Sequence, residues 1–186
     1  MNASSEEYRR PLLTARQVGI VAAFGGLGFA WRALGLVIPL IPPWVMDVRY
    51  TLLAIASFAG GPYVGIACGI LYCIPSPLPF MLDFPQAGVL YASIAYTVWN
   101  HRKSWGYVVL IVAAIIIQAY MQIFDTFFLA YVAQLVPFWP GLIASFSVPY
   151  GIYVIQVIIP IILAIRLFPD FMKPRWSWRG GEKVED

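Results

Sequence analysis

The stretch YTLLAIASFAGGPYVGIACGILYCI, residues 50–74, decides the fold of this chain. It is an apolar run long enough for one membrane-spanning helix of about 20 residues. Gly60, Gly61 and Pro62 interrupt it at its centre, and such a cluster also fits a turn between two short helices. The run is therefore either one broken span or a hairpin of two helices of about 12 to 15 residues, roughly 18 to 22 Å each.

The composition of the whole chain is typical of a membrane protein. Of its 186 residues, 61% are hydrophobic and 11% are charged, and the mean hydropathy is +0.77. Soluble domains carry about 25% charged residues. Further apolar runs lie at about 17–41, 84–99, 105–136 and 142–168. We expect one all-α polytopic membrane domain over 17–168, with an N-terminal tail at 1–16 and a C-terminal tail at 169–186.

The distribution of basic residues decides between five spans and six. Cytoplasmic segments of membrane proteins carry an excess of Lys and Arg. With a hairpin at 50–74, both tails and the connector His101-Arg102-Lys103 fall on one side of the membrane. That side then holds ten of the 12 Lys and Arg residues, and only Arg32 and Arg49 fall on the other side. The sequence therefore predicts six transmembrane helices with cytoplasmic N- and C-termini in a multi-pass protein of the cell membrane.

A few polar side chains lie in the spans and outer loops, and they indicate a binding site. The charged residues outside the tails, the basic connector and the inner end of the last helix are Arg32, Asp47, Arg49, Asp83 and Asp125. Gln118, Gln122 and Asp125 share one face of the fifth helix. Ionisable groups in a span usually face the bundle interior or a water-filled cavity. We expect a cup open to the outside, with Trp31 at its wall and Tyr153 toward its floor.

Ordinary roles are open for some of these residues. Asp47 and Arg49 also fit solvent-exposed loop charges, and Arg32 also fits a side chain that extends to the outer headgroups. For Asp125, which shares its helix face with two glutamines, a binding site or a buried ion pair is favoured over an ordinary role.

Several classes of function have no motif in the chain. We find no phosphate-binding loop, no metalloprotease motif and no nucleophile elbow, so we predict no catalytic residues and no enzyme activity. The single histidine, His101, stands beside two basic residues, and Cys68 and Cys73 fall inside an apolar run. We therefore expect no metal site and no cofactor. The basic residues follow the membrane boundaries, so we expect no nucleic-acid partner.

The first helix has two tracks of small residues spaced four apart. Small residues at this spacing let two helix backbones approach closely. One track fits packing inside the bundle, and the other fits docking of a partner protein. The candidate docking residues are Gly19, Ala22, Ala23, Gly26 and Ala30. Gly61, Gly65 and Gly69 have the same spacing in the third helix, where we expect packing inside the bundle.

Together these features resemble the substrate-binding S component of energy-coupling factor (ECF) transporters, a prokaryotic family of vitamin-uptake proteins. The similarity covers about residues 15–168. It rests on the chain length, the six helices with both ends inside, the small residues of the first helix, and two motifs. One is Gly61-Pro62-x-x-Gly65-x-x-x-Gly69, and the other is the proline-rich loop before Asp47-Val48-Arg49.

The resemblance implies a substrate-specific subunit of a transporter in the prokaryotic plasma membrane. Such a subunit binds a vitamin or related small molecule from outside. It docks through its first helix on a membrane coupling subunit, which two cytoplasmic ATPases drive. Two alternatives come from other classes of protein: an accessory structural subunit of another membrane complex, and a small lipid-modifying membrane enzyme that uses the aspartates.

Overall fold

The computed structural model describes residues 12–36, 38–40, 45–74 and 82–177. The predicted tails lie partly outside these ranges, and the proline-rich stretches at 42–43 and 75–79 lie wholly outside them. The described part is helical apart from two strands of two residues each, which agrees with the predicted all-α class. Its elements are α1 (Ala15–Ile20), the π-helical segment π1 (Val21–Gly25), α2 (Gly26–Ala33), β1 (Ile38–Pro39), β2 (Val45–Met46), α3 (Arg49–Gly60), α4 (Pro62–Cys73), α5 (Asp83–Asn100), α6 (Gly106–Tyr131), α7 (Phe138–Ser145), α8 (Val148–Leu167) and α9 (Pro169–Met172).

The segments α1, π1 and α2 form one continuous first helix, because the residues at both joints keep right-handed helical backbone angles. It begins with a capping box, in which Thr14 Oγ1 accepts from the Gln17 N–H and Gln17 Oε1 accepts from the Thr14 N–H. Gln17 Nε2 also donates to the carbonyl of Gly60 at 2.8 Å. This bond ties the start of the first helix to the end of α3.

The glycine–proline break produces two separate short helices. α3 and α4 have 12 residues each and meet at Gly61, whose φ of 91° favours glycine. Arg49 at the start of α3 donates to the carbonyl of Tyr72 near the end of α4 at 2.6 Å. Ser57, near the end of α3, lies beside Gly65, near the start of α4. The two helices are therefore antiparallel, and the hairpin alternative is the one that the chain adopts.

Glycines let α4 and α5 approach each other closely. A Cβ atom on Gly65 would lie 2.9 Å from Cα of Gly88, and one on Gly69 would lie 2.6 Å from the backbone nitrogen of Pro85. Any larger residue would push these backbones apart. The predicted inside packing of the third-helix glycines is thus confirmed for these two.

Helices α3, α5, α6 and α8 form a closed ring. Each packs against two neighbours, in the order α3, α5, α6, α8 and back to α3. The diagonal pairs, α3 with α6 and α5 with α8, make no backbone contact within the described residues. The ring therefore surrounds an interior that side chains of all four helices can reach. We name its two ends: the acidic end, where α3, α5 and α8 begin, and the tail end, where α9 packs.

The tail end is closed by the segment 169–177. Trp176 is 2% exposed, and its ring packs edge-to-face on Tyr96 at 4.9 Å between centroids. Its Nε1 donates to the carbonyl of Phe58 at 3.3 Å, and the Tyr96 hydroxyl donates to the carbonyl of Trp176. Arg16 of the first helix donates to the carbonyl of Phe171 at 2.6 Å. The stretch that the sequence assigns to a polar tail thus begins with a packed segment.

Two of the described helices, α6 and α8, are long and apolar enough to cross a membrane. In the most apolar stretch of each helix, only 33% (α6) and 39% (α8) of the residues are buried inside the protein. Their outer faces expose large apolar side chains, among them Ile116, Phe127, Ile155, Ile159 and Leu163. Soluble monomers rarely expose apolar patches of this extent. This exterior fits a surrounding of lipid.

Candidate functional site

A set of polar side chains lies at the acidic end of the ring. All of them are buried except Tyr50, which is half-buried. We name this set the polar cluster. Its members are Asp47, Arg49, Tyr50, Asp83, Gln122, Asp125, Tyr153 and Gln156.

Asp47 and Arg49 form a buried ion pair just before and at the start of α3. Arg49 Nε and Nη2 donate to Asp47 Oδ2 at 2.8 and 2.5 Å, and the Arg49 backbone N–H donates to Asp47 Oδ1 at 3.0 Å. The guanidinium also lies 4.6 Å from the centroid of the Phe84 ring. The two residues are 3% and 4% exposed, so the alternative of solvent-exposed loop charges does not hold. Asp47 neutralises the charge of Arg49.

Asp83 and three aromatic rings form one wall of the cluster. Asp83 is the first residue of α5, where the helix dipole favours a carboxylate, and its Oδ1 accepts from the Phe84 N–H at 2.7 Å. Its Oδ2 accepts from the Tyr50 hydroxyl. The Tyr50 ring lies 4.7 Å from that of Phe84 and 6.0 Å from that of Tyr153. The Tyr153 hydroxyl donates to the carbonyl of Val45 at 2.7 Å, so the loop before α3 closes over this wall.

The predicted polar face of the fifth helix lies on α6, inside the ring. Gln118, Gln122 and Asp125 are all buried. Gln118 Nε2 donates to the Tyr91 hydroxyl on α5 at 2.6 Å. Asp125 interacts electrostatically with Tyr50, which belongs to the diagonally opposite helix α3. Asp125 therefore projects into the interior and not toward the apolar exterior.

Four buried atoms of the polar cluster have no hydrogen-bond partner. They are Oε1 of Gln122, Oδ1 of Asp125, and both Oε1 and Nε2 of Gln156. A buried polar atom without a partner costs about 1–3 kcal/mol, and most such atoms in proteins are satisfied by protein groups or ordered water. Four of them in one interior indicate a place where another molecule supplies the missing bonds.

Three of the predicted site residues lie outside this cluster: Gln118, which is hydrogen-bonded to Tyr91, and Trp31 and Arg32. Trp31 and Arg32 lie on α2, outside the ring, and both are half-buried. Neither makes a hydrogen bond, an ion pair or a ring contact with the polar cluster. The indole Nε1 of Trp31 is buried without a partner.

Sequence reasoning missed three aromatic members of the site and its border. Tyr50, Phe84 and Tyr91 look like ordinary apolar or interfacial residues in a hydrophobic run. Their positions beside charged residues could have identified two of them. Tyr50 directly follows Arg49, and Tyr91 lies eight residues after Asp83, on the same face of a helix.

The candidate docking residues of the first helix are all exposed. A Cβ atom on Gly19 or Gly26 would meet no atom within 4 Å. The inward face instead carries Gly25 and Gly28, which pack against Leu71 and Tyr72 of α4. The expectation that one track packs inside the bundle is therefore wrong, because both tracks lie on the outer surface.

Comparisons with known proteins give no match: no family model, no curated protein and no solved structure is similar to this chain. Within the described ranges, no group of three or more His, Cys, Asp or Glu residues could hold a metal ion together.

Proposed function

We propose that this chain is the substrate-binding membrane subunit of an ECF-type uptake transporter, which binds a vitamin or related small molecule at the acidic end. The observation that carries the proposal is the polar cluster, because it is enclosed by four helices and retains four unpartnered atoms. Small-molecule sites in helical bundles are built in this way, from a few convergent polar groups between facing helices.

The charges of the two ends support an acidic end that faces outside. The tail end holds basic residues of the connector after α5, of the end of α8 and of the segment after α9: Arg102, Lys103, Arg166, Lys173 and Arg175. Basic residues favour the cytoplasmic side. With six spans and both termini in the cytoplasm, the polar cluster then lies toward the exterior, where an uptake protein meets its substrate.

The outer face of the first helix supports a partner subunit. It presents a stripe of alanine and glycine with open space at Gly19 and Gly26. The chain has no motif for nucleotide hydrolysis, so energy for uptake comes from a coupling subunit and two ATPases. A smooth helix face in the membrane suits close packing against a helix of such a subunit.

The proposal is tested by expressing the tagged full chain together with the coupling subunit and both ATPases of a bacterial ECF module. We expect a stable complex, ATP-dependent uptake, and a small molecule that is released on denaturation and identified by mass spectrometry. A chain that purifies without a small molecule and joins no ECF module would refute the proposal. Purification with another membrane complex, again without a small molecule, would favour the accessory-subunit alternative.

A further inference from the structure

We infer that the ligand of the polar cluster is a small organic cation, with a protonated or permanently charged nitrogen and further N–H donors. This inference rests on the proposed function in that it takes the cluster as the substrate site. It specifies the class of substrate, which the resemblance leaves open.

The charge balance of the cluster is the first reason. Arg49 is the only basic residue of the cluster, and its guanidinium is neutralised by Asp47. Two carboxyl groups remain, those of Asp83 and Asp125, and they interact with each other electrostatically. Buried carboxylates are stable only with a compensating charge or hydrogen bonds. A cation bound between the helices would supply both.

The unpartnered atoms give the second reason. Three of the four are oxygen acceptors, on Gln122, Asp125 and Gln156, and one is a nitrogen donor on Gln156. Exchanging the two ends of the Gln156 amide leaves this ratio unchanged. The Asp83 carboxylate, by contrast, already accepts two hydrogen bonds. The site therefore lacks donors, which a ligand rich in N–H groups provides.

The aromatic wall gives the third reason. Tyr50, Phe84 and Tyr153 stand together beside the two carboxyl groups, with centroid distances of 4.7 and 6.0 Å from Tyr50. Aromatic faces attract cations, and organic ammonium groups are recognised by such walls. The described residues hold no group of three or more His, Cys, Asp or Glu side chains that could hold a metal ion, which favours an organic cation over a metal ion.

The first experiment compares matched probes on the full chain in lipid nanodiscs. Pyridoxamine and pyridoxine differ by an amine in place of a hydroxyl. Thiamine and its neutral hydroxymethyl-pyrimidine half differ by the charged ring. Biotin serves as an anionic probe, and sodium or magnesium chloride serves as the metal-ion probe. We expect at least one cationic probe to bind tenfold or more tightly than its neutral match.

Two variants then assign the preference to the cluster. Asp125→Asn should remove the tenfold preference, while Asp170→Asn, at an exposed residue of α9 at the tail end, should keep it. The melting temperature of the ligand-free protein is a second readout. We expect Asp125→Asn to leave it unchanged or raised, because the buried carboxyl pairs with no basic group and its Oδ1 has no hydrogen-bond partner, and Asp47→Asn to lower it, because that carboxylate pairs with Arg49.

Several results would overturn the inference. They are equal binding within both matched pairs, tighter binding of biotin, a response to the metal salts alone, or failure of every probe. A fall in melting temperature for Asp125→Asn as large as that for Asp47→Asn would do the same. If the chain forms an ECF complex and binds biotin, the proposed function stands and the inference of a cationic ligand is wrong. If the chain prefers amines but forms no ECF complex, the proposed function is wrong and the inference of a cationic ligand stands.

Discussion

Replacing Gly26 by leucine separates docking from internal packing, because Gly26 and Gly28 lie two residues apart on opposite faces of one helix. A Cβ atom on Gly26 meets nothing within 4 Å, whereas one on Gly28 would lie 2.1 Å from Cε1 of Tyr72. We therefore expect Gly26→Leu to fold normally and to lose its partner. Gly28→Leu should fold poorly for reasons unrelated to the partner.

The magnitudes follow from the contacts. Forcing extra atoms into a packed site costs about 1–3 kcal/mol. For a chain of this length, that cost at Gly28 lowers the melting temperature by about 2–12 °C. The same cost at Gly26 falls on the interface with the coupling subunit and weakens docking by about 5- to 150-fold.

The assay measures three quantities for the wild type and both variants in detergent or nanodiscs. They are the melting temperature of the isolated chain, the amount of coupling subunit recovered with it, and uptake by the assembled transporter. Gly19→Leu provides a second outer-face variant, since it also meets open space. Normal assembly of both Gly19→Leu and Gly26→Leu would show that this face docks no partner. A melting temperature for Gly26→Leu as low as that of Gly28→Leu would refute the assignment of the two faces.

Three further predictions concern the fold and its orientation. Asp47→Asn leaves the buried Arg49 without its counter-charge and should lower the free energy of unfolding by about 3–5 kcal/mol, measured by denaturant unfolding. A free energy of unfolding within about 1 kcal/mol of the wild type would show that the ion pair is not needed for stability. Trp176→Ala should cost about 3–5 kcal/mol, whereas Trp139→Ala, at a residue 70% exposed, should change little; equal effects would contradict the packing of the tail. Single cysteines at Ser104 and Leu135 should react with an impermeant thiol reagent from opposite sides of the membrane, with native Cys68 and Cys73 silent because both are buried. Labelling of both new cysteines from one side would refute the six-span topology.

The sequence predicted those parts of the fold that depend on local signals. The break at Gly61 could be recognised because glycine and proline act on their own backbone, and the structure places the hairpin there. The shared face of Gln118, Gln122 and Asp125 follows from helical periodicity alone, and these side chains are indeed buried together. The number of spans and the orientation in the membrane stay predictions.

The missed features depend on contacts between distant segments. No local pattern shows that Trp176 packs on Tyr96 and on the hairpin, because a tryptophan near basic residues also fits the membrane interface. The sequence could not show which face of the first helix points inward either. Both faces carry glycine, and only the position of Tyr72 decides that Gly28 and not Gly26 is covered.

The bond between Trp176 and Phe58 has a consequence for synthesis. These residues are 118 positions apart, and ribosomes add about 5–20 residues per second. About 6 to 24 s therefore pass between the synthesis of Phe58 and that of Trp176, whose indole packs beside the turn of the hairpin. During that time the hairpin is held by Gln17 of the first helix at the carbonyl of Gly60, and then by α5 and α8 as these helices are made. A segment that is translated after all four helices of the ring therefore completes the packing of a hairpin that was translated before three of them.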